Sequence, residues 1–111
     1  MNHPFSGEFD AQAPVTLNGT VTELHWSDPH VVLQVDAKEN GGEVKNWRVE
    51  MGTLAEMENH GWTETTLKQG ERITIQGNRA KSKSQPNFAS ARVIETAGGK
   101  KLTATSACHP A

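Results

Sequence analysis

The sequence predicts a mostly β protein, a small five-stranded barrel with one short helix between the third and fourth strands. Three observations carry that expectation. Apolar and polar residues alternate in several short runs rich in Val, Ile and Thr, the pattern of half-buried strands. The stretch 53–59 breaks that alternation with a helix-start signature. Strand, strand, strand, helix, strand, strand is the order of the OB barrel. An open antiparallel sheet with one helix is the alternative. The barrel is preferred because the first run is long and carries Gly19 where a shared strand must bend. The apolar positions are also too few to cover a large open sheet.

The elements follow in order. Val15 to Trp26 alternates through Val15, Leu17 and Val21, and Gly19 marks a bulge or bend. Ser27-Asp28-Pro29 is a turn: Asp caps locally and Pro holds φ. His30 to Asp36 is the second strand, Lys38 to Glu43 a hairpin loop, and Val44 to Met51 the returning strand. Thr53 and Glu56 have capping-box spacing, and Leu54, Ala55 and Met57 form a short apolar stripe, so a helix runs from Thr53 to Asn59. Gly61 suits the left-handed position that ends it, and Leu67 plugs the core from the connector. Glu71 to Gly77 is the fourth strand, Asn78 to Asn87 a mobile polar loop, and Phe88 to Thr96 the fifth strand. Ala97-Gly98-Gly99 turns it into a short final hairpin with Lys101-Leu102.

Facing Val31, Leu33 and Val35 with Trp47, Val49 and Met51 pairs Val31 with Val49 and Leu33 with Trp47. His30 then stands opposite Glu50 on the outer face, and a one-residue slip would put Arg48 and Glu50 in the core.

A chain of 111 residues is one domain. Residues 1–12 read as an N-terminal arm, 13–102 as the OB-like domain and 103–111 as a flexible tail. No apolar run approaches the ~18 residues of a membrane span. Eleven Lys+Arg against thirteen Asp+Glu give a net charge of −2, which disfavours binding to nucleic-acid phosphate. One cysteine, Cys108, excludes an internal disulfide and a Cys-only zinc site; with His109 it reads as incidental on the tail. No leader-like segment opens the sequence, which leaves a cytoplasmic protein or a mature exported domain.

The sharpest local feature is His25-Trp26-Ser27-Asp28-Pro29-His30. Imidazole and carboxylate suit Cu(II), Zn(II) or Ni(II). Glu50 would be a ligand or a tautomer-fixing partner of His30, and His3 on the arm would close over the same end. The plainer reading has Asp28 capping its turn, His30 paired with Glu50 at the surface and His25 solvated. Trp26, Trp47 and Trp62 read mainly as core. Trp26, beside the turn, is the one expected to be partly exposed and able to stack on a planar ligand or sugar, with Trp47 as a second binding candidate. Arg79, Lys81 and Lys83 form a solvated basic loop. No Gly-rich phosphate loop or nucleophile elbow is present, so an enzyme is not expected.

His3-Pro-Phe-Ser-Gly-Glu-Phe-Asp10, Gly19-Thr-Val-Thr22, Trp26-x-Asp28-Pro29-His30, Trp47-x-Val49-Glu50, Gly61-Trp62 and the following Leu-x-x-Gly-x-x-Ile-x-Ile-x-Gly strand together resemble a family of small exported bacterial proteins of unknown function. The resemblance runs from Pro4 to Leu102. Asp28 stands where the family's motif carries Asn. The resemblance implies a small OB-type barrel, a periplasmic location and no established activity. The expectation is a periplasmic binding module that takes a transition metal, copper first, through His30, His3 and Glu50, with His25 and Asp28 auxiliary. The alternative is a non-metal module that binds a small molecule, glycan or protein partner through Trp26 and the outer face of the 30–51 hairpin.

Overall fold

The computed structural model describes residues 9–39, 41–81, 84 and 87–104. Its strands are β1 (Phe9–His25), β2 (Val32–Glu39), β3 (Lys45–Glu50), β4 (Arg72–Ala80), β5 (Phe88–Thr96) and β6 (Lys101–Thr103), with one helix, α1 (Leu54–Asn59), between β3 and β4. The sheet order is β3-β2-β1-β4-β5-β6. A parallel pairing of Arg48–Glu50 in β3 with Phe88–Ser90 in β5 joins the two sides, so β1 to β5 form a closed ring. The expected mostly β architecture, with a helix between the third and fourth strands, is the one observed.

The ring's interior follows from strand alternation. Leu17, Val21, Leu33, Val35, Val49, Ile75 and Ile94 are buried in one cluster. Met57, Trp62 and Leu67, from α1 and the connector behind it, are buried in the same cluster. Trp47 is 2% exposed, and Arg79 lies over its ring at 5.7 Å while pairing with Glu39. Arg79 therefore spans β4 and β2 above Trp47 and does not belong to a free basic loop.

Gly19 is where β1 must come close to β2. A Cβ there would fall on the Asp36 carbonyl oxygen and the Ala37 side chain. The bulge itself lies further on, between Val21 and Glu23.

Several boundaries differ from expectation. β1 begins at Phe9, and residues 9–12 belong to the strand. Phe9 packs on Phe88 with ring centroids 5.0 Å apart, beside Ala80. β4 runs on through Asn78 and Arg79 because those residues pair with Ser90 and Ala89. Thr103 ends β6 and Ala104 is buried. The rest of the tail, including Cys108 and His109, lies outside the described residues, as do His3 and Lys83.

The β2–β3 register is shifted two residues from the expected one. Leu33 faces Val49, Val35 faces Trp47 and Val32 faces Glu50. Val31 bonds the chain just past β3: its N–H donates to Gly52 O and its carbonyl accepts from the Met51 N–H, both at 2.8 Å. A slip of two leaves every side chain on its own face, so face alternation could not detect it.

Candidate functional site

The loop from Trp26 to Val31 leaves β1, enters β2 and lies against the start of α1. Thr53 is the N-cap. Its hydroxyl accepts from Glu56 N at 3.2 Å, and the Glu56 carboxylate accepts from Thr53 N at 2.8 Å, completing the capping box. Asp28 satisfies a further amide of the first turn, its Oδ1 accepting from Leu54 N at 3.0 Å. The Asp28–Pro29 peptide is cis.

The proposed metal ligands are placed as follows. His30 Nδ1 lies 3.0 Å from Met51 O. A carbonyl only accepts, so Nδ1 carries the proton and Nε2 is left for another partner. Glu50 does not face His30. It stands opposite Val32 on the outer face of β3, nearly buried, with Arg48 at 3.5 Å. His25 is exposed, 3.6 Å from Glu23. Among the described residues, no three His, Cys, Asp or Glu side chains gather where they could hold a metal ion. Of the two tryptophans expected to bind, Trp47 is sealed in the core because its register position faces inward, opposite Val35.

Trp26 is different. It is half-buried, packs against the core and lines a groove of about 460 Å³ with Glu58, Gly61, Trp62, Thr63 and Glu64. Trp62 is buried, and its indole N–H donates to Thr103 O at 2.9 Å, which ties the groove to β6. Gly61 has φ +88°, the left-handed geometry that turns the chain out of α1 toward Trp62. The next turn is knotted by threonines. Thr63 N donates to Thr66 Oγ1 at 2.7 Å, and Thr65 N donates to Thr63 Oγ1 at 3.3 Å. Glu64 sits between those anchored residues. Sequence reasoning singled out Trp26 but missed Glu58, Thr63 and Glu64. The available signal was a carboxylate on each side of Gly61-Trp62.

A family match settles what kind of chain this is: residues 1–88 match a family of unknown function, DUF6152. The chain belongs to the DUF6152 family. The match includes the 26–31 loop, α1 and every residue of the Trp26 groove. The curated proteins and the solved structures each yield no match to this DUF6152 chain.

Two other features lie apart from the Trp26 groove. A larger groove, about 810 Å³, lies on the outer sheet face among Asn18, Thr20, Asp36, Lys38, Arg72 and Glu95. Its charges are of both signs, as on a solvated strand face. Ser90 is 2% exposed, and its hydroxyl has no hydrogen-bond partner among the described residues.

Proposed function

We propose that this DUF6152 protein is a non-enzymatic binding module that takes a small molecule in the groove beside Trp26. One observation carries the reading: a half-buried indole lines a groove whose deepest residue, Trp62, is held by its own hydrogen bond. An aromatic face already ordered by packing loses little entropy when a ligand stacks on it. Ligand sites of this kind combine an apolar surface with a few polar groups, here Glu58, Thr63 and Glu64. An exported, periplasmic protein of bacterial origin is part of the same proposal and rests on the motif resemblance alone.

The test is a titration of isotopically labelled protein with neutral saccharides, amines and carboxylates at millimolar concentration, read at the three indole N–H resonances. A member of the panel that moves the Trp26 resonance selectively, and fails to do so in Trp26→Leu, supports the groove. A panel that moves none of the groove residues overturns it.

A metal reading keeps one specific support. Metal-bound histidines commonly donate their other ring nitrogen to a backbone carbonyl, and His30 has that arrangement with Met51 O. In this reading Cu(II), or else Zn(II), binds His30 Nε2, with His3 as the expected next ligand, while Glu50 and Asp28 are engaged elsewhere. Calorimetric titration with Cu(II) then gives one site at micromolar affinity or tighter, lost in His30→Ala. Equal affinity in that variant removes His30 from the model of binding.

A further inference from the structure

We infer that the Trp26 groove selects an organic ammonium ion, a quaternary ammonium or a protonated amine, and this rests on the groove being the ligand site. The groove's charge is the first argument. Of its six lining residues, Glu58 and Glu64 are the charged ones, and both are carboxylates. Neither makes an ion pair among the described residues, and both are exposed. The last turn of α1, which supplies Glu58, carries no basic residue. Four of the chain's cations lie elsewhere: Arg48 over Phe88, Arg79 over Trp47, and Lys38 and Arg72 along the outer-face groove.

The second argument is Trp26 itself. The face of an indole attracts a cation through its ring quadrupole, more strongly than a phenyl ring does. Inorganic cations keep their hydration shells and gain little from such a face. An alkylated ammonium is weakly hydrated and also buries apolar surface against it. A carboxylate ligand would meet Glu58 and Glu64 with like charge. A neutral sugar would use the indole but leave both carboxylates without a counter-charge. An indole that shares its groove with two carboxylates therefore favours a cation over either alternative.

The discriminating probes are choline and its uncharged carbon isostere, 3,3-dimethylbutan-1-ol, with a neutral trisaccharide as a third. Binding is read at the Trp26 indole resonance, in low salt and at 0.5 M NaCl. Choline is expected to bind about tenfold more tightly than the isostere, with that advantage shrinking in high salt. The double variant Glu58→Gln, Glu64→Gln, both changes on exposed side chains, is expected to lose the advantage while keeping a native-like spectrum. Equal binding of choline and isostere overturns the inference, as does an unchanged choline affinity in the double variant. A saccharide that shifts Trp26 while choline does not overturns the cation but leaves the groove as the site. Silence from all three probes and from the wider panel overturns both.

Discussion

Asp28 shows how a residue with metal-ligand chemistry can be occupied structurally. Its carboxylate accepts from the Leu54 amide at the start of α1, a place where backbone donors have no partner within the helix. Asp28→Ala is expected to lower unfolding free energy by about 1 kcal/mol, and Asp28→Asn by less, because the amide oxygen still accepts. Urea melts of the two variants check the order; equal losses would assign the effect to something other than the acceptor. Trp62 makes the same point from the core. Trp62→Phe keeps most of the buried area but loses the bond to Thr103 O, at a cost of about 1 kcal/mol. Faster amide exchange along β6 than along β4 is the expected signature. Both residue types were legible in the chain. Their partners were not, because Leu54 is 26 positions from Asp28 and Thr103 is 41 from Trp62.

At the level of elements, legibility tracked how local the causes were. The capping box of α1 needs only Thr53, Glu56 and the backbone between them, and it formed as the spacing predicts. The β2–β3 register needed more. Strand alternation distinguishes odd slips from even ones and cannot choose among even ones. Val31, bonded to Met51 and Gly52 at the end of the ladder, makes that choice. β4 was expected to stop at Gly77 because Asn78 and Arg79 look like loop residues. Asn78 instead pairs along both edges, with Pro14 and Ser90, and its side-chain amide donates to Asp10 O at 3.1 Å. Gly19, expected as a bulge or bend, is a close approach between strands. Gly19→Ala is therefore expected to destabilise by about 1–3 kcal/mol through overpacking. A stabilised Gly19→Ala protein in thermal melts would show that β1 and β2 have room to separate.

For the whole molecule the decisive feature is closure. β3 and β5 meet in parallel over Arg48–Glu50 and Phe88–Ser90, about 40 residues apart in the chain. That contact cannot reward the chain until the loop between is closed. Folding is expected in milliseconds to seconds, as for other small β topologies dominated by non-local pairing. Stopped-flow tryptophan fluorescence measures it, and completion within microseconds would contradict a ring closed by β3 and β5. Closure also assigns the three tryptophans their different roles. Trp47 is sealed inside under Arg79, Trp62 is anchored at the helix end, and Trp26 is left half-buried beside an acidic groove.

The sequence by itself determined the mostly β class, the place of the helix, the inward face of each strand and the prominence of Trp26. These depend on side-chain period and on caps a few residues apart, and such signals survive without knowledge of the rest of the chain. Only the tertiary structure decided the strand register, the parallel β3–β5 pairing that closes the ring, the separation of His30 from Glu50 and the gathering of Glu58 and Glu64 beside Trp26. Each of these depends on distant segments meeting, and what brings them together is burial of a shared core and pairing of backbone groups, neither of which is written in any one stretch of sequence.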